Sequence, residues 1–320
     1  MKAIFPNLGA IEAALKGQEA VTRFAPSPTG YLHLGHVVNA LYVWGIAGAL
    51  GGKVILRLED HDQQRCRPEY EAALLEDLEW LGLVPDIGEI AEFRAGSSPF
   101  RQSDCGAVYT AFLARLRDQP GIYACDCSRK AILERALQAG NGELRYDGQC
   151  RSRGLKEMPG LGIRLQTPRG EVHFVDILVG SQHQLPTAQV GDVLLQDRNG
   201  QWTYQFAVVS DDIYQGVNLI IRGMDILSSS GRQIQIARML GRKNTPVLLH
   251  HKLLVDAKGR KLSKRDFAQD IHMQKIAGTD PQDILGAAAF QAGLIPNFQK
   301  IAVRDLPGLF LANSQSEEPA

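Results

Sequence analysis

Residues 23–36 read Arg23-Phe-Ala-Pro-Ser-Pro-Thr-Gly-Tyr-Leu-His33-Leu-Gly35-His36, and the fold is read outward from them. Val21–Ala25 has the composition of a strand. A turn rich in proline and glycine follows, and two histidines three apart open the apolar, helical run Leu34–Leu50. Residues three apart at a helix start share a face, and helix N-termini attract phosphate. Gly35, set between the histidines, carries no side chain, so a nucleotide can lie close to the backbone there. His33, Gly35 and His36 are therefore candidate nucleotide-contacting residues.

Beyond this stretch, short apolar runs alternate with helical patterns. Lys53–Leu58 (KVILRL) reads as a strand, Glu69–Leu81 as a helix introduced by Pro68, and Asp104–Arg117 as another helix. Such alternation implies an α/β fold with a parallel sheet and helices on its faces. The segment from about 123 to 200 breaks the pattern with three cysteines, many arginines and the short strand-like runs Glu171–Val179 and Asp192–Gln196, and reads as an insertion. Alternation resumes with Gln201–Val209, Val217–Ile221, a helix near Ile226–Leu240, Val247–His250 and a helix over Asp280–Ala292.

The expected organisation is an N-terminal extension (1–20), the first half of a catalytic domain (21–122), an insertion (123–200), the second half (201–265), and a short helical region with a polar tail (266–320). Composition sets the outer limits. The chain has 320 residues, 44% of them hydrophobic and 22% charged, which is ordinary globular usage. Thirty-five basic residues balance thirty-five acidic ones, so any contact with nucleic acid must come from local patches. Arg145, Arg151, Arg153 and Lys156 of the insertion are candidates for such a patch. Leu34 to Gly52 lacks Lys, Arg, Asp and Glu, but its His36, Asn39 and glycines favour a buried helix over a membrane span. Five cysteines, an odd number, and no expected leader point to a reduced, cytoplasmic protein.

Two further clusters carry chemistry. Five of the eight residues from Lys258 to Arg265 are basic and stand beside small residues, the composition of a mobile loop that can place positive charge on a leaving pyrophosphate. Lys261, Ser263 and Lys264 are its candidates. Cys125, Cys127 and Cys150 fall within 26 residues and suggest thiolate-bound Zn²⁺, while Cys66 and Cys105 fit no motif and read as packing residues.

HLGH at 33–36 and KLSKR at 261–265 resemble the two signatures of class I aminoacyl-tRNA synthetases. RFAPSPTGYLHLGH, ILRLEDHD, TYQFAVVSDD, LIIRGMDIL and GRKLSKR, in that order, resemble the glutamyl branch from about residue 20 to residue 295. The resemblance implies a Rossmann-type catalytic domain with a cysteine-bearing insertion and a short helical C-terminal part. It implies that Arg23, Phe24, Ala25, Pro26, Ser27, Glu59, Tyr204 and Arg222 bind glutamate. His33, His36 and Lys264 would then be catalytic, and these three with Gly35, Lys261 and Ser263 would bind ATP, carried with Mg²⁺. Tyr146, from a Y-D-G-x-C segment, enters as the fourth ligand of one structural Zn²⁺.

Only 55 residues follow Arg265, and an anticodon-binding domain would need on the order of 100 or more. In lacking such a domain the sequence resembles the glutamyl-queuosine tRNA(Asp) synthetase family. That resemblance implies activation of L-glutamate by ATP and its transfer to queuosine in the anticodon of tRNA(Asp), by a cytoplasmic monomer with no membrane partner. Two alternatives stand beside it: a truncated glutamyl-tRNA synthetase charging the acceptor end, and a non-catalytic paralogue that only binds.

Overall fold

The computed structural model describes residues 5–135, 144–254 and 270–312. Lys261, Ser263 and Lys264, the candidates of the basic loop, lie outside the described residues.

The first helix, α1 (Leu8–Leu15), is capped by the Asn7 side chain and buries Leu8, Ile11 and Leu15. Part of the expected N-terminal extension thus belongs to the main core. Strands β1 (Val21–Phe24) and β2 (Lys53–Leu56) pair in parallel, and α2 (Leu34–Ala49) connects them. From Val37 to Ala47 every residue of α2 except Asn39 is buried, as expected of a helix packed on several sides. Among the described residues no helix is long and apolar enough to cross a membrane.

Helix α3 (Pro68–Leu81) has proline at its start, Glu69 and Glu71 in its first turn, and Gly82 at φ 75° closing it. Helices α4 (Ile90–Ala95) and α5 (Gly106–Arg117) follow. The chain then runs through β3 (Ile122–Cys125), α6 (Arg129–Arg135), β4 (Gly162–Leu165), the hairpin β5 (Val172–Asp176) and β6 (Gly180–Gln184), α7 (Pro186–Gln189) and β7 (Val193–Gln196). Strands β3, β4 and β7 make an antiparallel sheet in that order. The hairpin does not join it. Instead β5 lies beside β9 (Val247–His251), whose other neighbour is the parallel β8 (Leu219–Gly223), giving the order β6-β5-β9-β8. The residues 123–200 read as one insertion therefore divide between two sheets.

Gln201–Val209, whose type the sequence left open, runs into helix α8 (Tyr204–Tyr214). Phe206 through Asp212 is buried without a break, and the short apolar run Phe206–Val209 carries no period that separates a buried helix from a strand. A 3₁₀ turn at Met224–Ser229 leads into α9 (Ser230–Met239). Helices α10 (Ile271–Ile276), α11 (Pro281–Gln291) and α12 (Leu306–Leu311) follow, the last two packed on α2.

Asn218 aligns β8 with β1. Its backbone N–H donates to the Val21 carbonyl at 3.0 Å, and its side-chain oxygen accepts from the Val21 N–H at 2.8 Å. The C-terminal ends of β1, β2, β8 and β9 consequently open on one side, the place where α/β sheets bind ligands.

Candidate active site

A cavity of about 280 Å³ occupies that side, lined by Arg23, His33, His36, Glu59, Tyr204 and Arg222 among others. Arg23 comes from β1, the histidines open α2, Glu59 follows β2, Tyr204 starts α8 and Arg222 ends β8. Residues nearly 200 positions apart are thus brought together. Ala25 and Gly35 also line the cavity. Phe24 lies beneath it against Trp44, with ring centroids 5.3 Å apart. Pro26 accepts the Glu59 backbone N–H, and Ser27 lies 3.9 Å from the Cys66 sulfur, so neither of these two side chains lines the cavity.

The histidines fix the start of α2. His33 Nδ1 accepts from the Gly35 N–H and His36 Nδ1 from the His33 N–H, both at 3.1 Å. A nitrogen that accepts from a backbone N–H carries no proton, so each neutral ring is protonated on Nε2 and donates there. Two imidazole N–H donors at a helix N-terminus suit an anion such as a phosphate.

Two arginines and three carboxylates form the floor. Arg57, wholly buried, donates to Asp212 at 2.8 Å and to Glu59 at 3.0 Å, and Arg23 Nε donates to Asp212 at 3.1 Å. Burial alone would raise the Asp212 pKa, but the guanidiniums of Arg23 and Arg57 hold it below the ordinary carboxylate range. Asp211, buried and bonded to Tyr109 and Gln102, is pushed up to about 6 by desolvation.

Arg222 differs from these. Its Nε, Nη1 and Nη2 donate to His250 Nε2, Gln233 Oε1 and Ser230 Oγ at 2.9, 2.8 and 2.9 Å. All three acceptors are uncharged groups, and among the described residues no carboxylate lies within ion-pair distance of it. A guanidinium only 4% exposed faces the cavity with no counter-ion in contact, Asp212 and Glu59 acting on it only from a distance. Burying an uncompensated charge is costly, which marks a place for an anionic ligand. The Tyr204 hydroxyl opposite has no hydrogen bond among the described residues.

Sequence reading did not single out Arg57, Asp211, Asp212, His250, Asp176, Asn39 or His251. The signals were present: Arg57 interrupts an apolar strand and needs counter-ions, and the pair Asp211-Asp212 comes one residue after the apolar run Phe206–Val209. Asp60, by contrast, turns away from the cavity and accepts from the Ser103 N–H and hydroxyl.

At the insertion, Cys125, Cys127 and Cys150 place their sulfurs within 4.8 Å of one another. Cys127 and Cys150 sulfurs are 3.5 Å apart, and the Tyr146 hydroxyl lies 3.4 and 3.9 Å from those of Cys125 and Cys127. A tetrahedral ion with metal–sulfur bonds of about 2.3 Å has edges near 3.8 Å, so the set fits one ion. Each sulfur also receives an arginine N–H: Arg164 on Cys125 at 3.3 Å, Arg135 on Cys127 and Arg153 on Cys150, both at 3.4 Å. At Cys125 the Tyr146 and Arg164 donors outweigh burial and lower the thiol pKa, the direction a metal ligand requires, whereas burial and Cys150 raise that of Cys127 despite Arg135. Of the arginines expected to meet nucleic acid, Arg151 is paired with Asp192 and Arg153 with Asp126. Cys105 is buried, with its thiol pushed up to about 12 by burial, and Cys66 is partly buried, with its thiol also raised by burial; neither is near the cluster.

A second, larger cavity of about 1020 Å³ runs from Cys125, Cys127 and Arg164 to Tyr204 and Gln205. Tyr204 lines both cavities and joins them.

Residues 19–293 match the family described as tRNA synthetases class I (E and Q), catalytic domain. The chain belongs to this family. It is a ligase of the aminoacyl-tRNA synthetase class, with the mixed α/β fold of that family. A relative from Nitratidesulfovibrio vulgaris, named glutamyl-Q tRNA(Asp) synthetase, is 39% identical over 300 residues, covering 90% of each chain. Glutamate–tRNA ligase 2 of Acidithiobacillus ferrooxidans is 42% identical over 255 residues, covering 76% of this chain and 52% of its own. The solved glutamate-tRNA synthetase of Elizabethkingia anophelis superposes with a TM-score of 0.74 at 27% identity, covering 91% of this chain and 65% of that one.

Proposed function

We propose that the enzyme activates L-glutamate with ATP and transfers it to queuosine in the anticodon of tRNA(Asp), in the cytoplasm. The observation that carries this reading is Arg222: a buried cation with no counter-ion in contact, sharing one cavity with Arg23, Glu59 and Tyr204. Arg222 and Arg23 receive the two carboxylates of glutamate, and Glu59 receives its ammonium group. Phe24, Ala25, Pro26 and Ser27 shape the turn that holds Arg23 in place. An oxygen of the glutamate α-carboxylate attacks the α-phosphorus of ATP, and the bond to pyrophosphate breaks, leaving glutamyl-adenylate. No protein nucleophile is needed, so positioning and charge stabilisation carry the rate. His33 and His36 donate from Nε2 to the phosphates beside Gly35. Lys264, with Lys261 and Ser263, follows the charge onto pyrophosphate, and Mg²⁺ accompanies ATP. A hydroxyl of the queuosine ring then attacks the acyl carbon, AMP leaves, and the hydroxyl proton passes to solvent.

The larger cavity, entered past Tyr204, gives the acceptor nucleoside its approach, and an anticodon base turned out of its stack can reach it. Cys125, Cys127, Tyr146 and Cys150 hold one structural Zn²⁺ that fixes the wall of this cavity. Assignment to tRNA(Asp) is supported by the names of relatives that match over nine-tenths of their length.

The test uses labelled glutamate, ATP and two tRNA pools, one containing queuosine and one from cells unable to make it. Label on the anticodon fragment, in the queuosine pool alone, is the expected result. Label at the 3′ end in both pools replaces the reading with acceptor-end charging. Absence of label together with absence of glutamate-dependent pyrophosphate exchange leaves a binding paralogue.

A further inference from the structure

Arg222 keeps its charge free of a contacting counter-ion because its hydrogen-bond partners are neutral acceptors, and one of them is conditional. Ser230 and Gln233 offer oxygens, but His250 offers an acceptor at Nε2 only when its proton sits on Nδ1. The other side of the ring meets that condition. Asp176 Oδ2 lies 2.6 Å from His250 Nδ1, and both side chains are fully buried. The carboxylate is itself held by the backbone, its Oδ1 accepting from the Leu178 and Val179 N–H groups at 3.0 Å and from that of His250 at 3.3 Å. Ser230 Oγ, 3.3 Å from His250 Nε2, completes the ring of contacts. Desolvation lowers the His250 pKa despite Asp176, with Arg222 and Arg23 opposing protonation as well. A proton on Nε2 would set N–H against the Arg222 Nε–H.

We propose that Asp176 and His250 are positioning residues: Asp176 selects the Nδ1–H tautomer of His250, and that tautomer holds Arg222 in place while leaving its charge for the substrate carboxylate. The second half of the statement rests on the glutamate reading above. The hairpin that brings Asp176 to β9 therefore serves the substrate site although none of its residues touches the cavity.

The test is a set of substitutions read by pyrophosphate exchange. Asp176→Asn keeps an oxygen for the backbone N–H groups, but its amide turns a donor toward Nδ1 and drives the His250 proton to Nε2. A charge-assisted bond is lost at Arg222, and the KM for glutamate is expected to rise about tenfold or more. The KM for ATP should stay within about twofold, because no ATP contact changes. His250→Gln places a carboxamide oxygen near the old Nε2 with no tautomer to select. It should keep the glutamate KM within about threefold and abolish the effect of Asp176→Asn in the double variant. His250→Leu, which offers no acceptor, should match Asp176→Asn. Long-range ¹H–¹⁵N spectra of wild type should show His250 protonated on Nδ1, reversed in Asp176→Asn.

Equal rises in both KM values, or persistence of the Asp176→Asn defect in the His250→Gln background, would overturn the proposal. A wild-type His250 protonated on Nε2 would also do so. A wild-type enzyme without glutamate-dependent exchange would instead defeat the glutamate reading, and the spectra would still decide the tautomer.

Discussion

Asp211 shows how much of the site's electrostatics sits in single residues. It lies below the cavity, buried, with Tyr109 and Gln102 donating to it and Arg57 at 3.9 Å. Desolvation outweighs these partners and moves its pKa from 3.8 to about 6. The sign of the consequence follows. Between pH 4 and 6 the folded chain holds a proton that the unfolded chain has already lost, so stability falls as pH rises through that window. Above it the full cost applies, up to about 3 kcal/mol for a shift of this size. Asp211→Asn keeps an oxygen for Tyr109 or Gln102, and Arg57 retains Asp212 and Glu59. Urea unfolding at a series of pH values should therefore show the variant gaining on wild type as pH rises from about 4 to 6, with a constant difference above 7. Parallel curves at all pH values would show that Asp211 titrates as an ordinary carboxylate. The same logic of neutral and charged partners separates Arg57, fully compensated, from Arg222, which is not.

At the scale of elements, α2 couples the site to the end of the chain. The helix that begins with His33 and His36 is crossed at its middle by α12, where Gly45 meets Phe310. A Cβ on Gly45 would stand 2.3 Å from the Phe310 ring, which is itself wholly buried against Tyr42 and Phe5. Gly45→Ala therefore has to displace Phe310, and such overpacking costs about 1–3 kcal/mol. Phe310→Leu leaves room for the new methyl, so the double variant should be more stable than the sum of the single losses predicts, a coupling of about 1 kcal/mol or more. Strict additivity in urea unfolding would mean that α12 moves away freely. Such contacts could not be read in the sequence. The strand β1, the helix α2 and β2 were legible from their local patterns, and so was the start of α3 at Pro68. The place of the hairpin β5–β6 is not legible locally, because β5 pairs with β9 some 70 residues later. The type of α8 is not legible either, because Phe206 to Asp212 are all buried and a buried stretch loses the period that announces a helix.

On the scale of the whole molecule, the motif residues were legible as types, and Arg23, Ala25, His33, Gly35, His36, Glu59, Tyr204 and Arg222 share one cavity, but their partners were not legible. Nothing local tells that Arg57 sits on Asp212 or that Asp176 lies behind His250, since both pairings are made by the crossing of distant strands. The same geometry gives two cavities that share Tyr204. On one side lies the cavity of Arg23, His33, Glu59 and Arg222; on the other, the larger cavity whose far wall is Cys125, Cys127 and Arg164. The cysteine cluster has a small core of its own, Cys125, Tyr146 and Cys150, separate from the core beneath α2. On the proposed function, a metal held there would fix the wall of the larger cavity, which the acceptor nucleoside approaches, without touching the residues of the smaller one. Removing the metal with a chelator, or replacing Cys127 with serine, should then separate the two half-reactions. Second-half transfer of glutamate to tRNA is expected to fall about tenfold or more, the scale on which metal-site disruption acts. Glutamate-dependent pyrophosphate exchange should stay within about threefold, because no residue of the smaller cavity belongs to the cluster. Exchange and transfer falling together, to the same extent, would mean that the insertion supports the activation site itself, and that the boundary at Tyr204 does not divide the work.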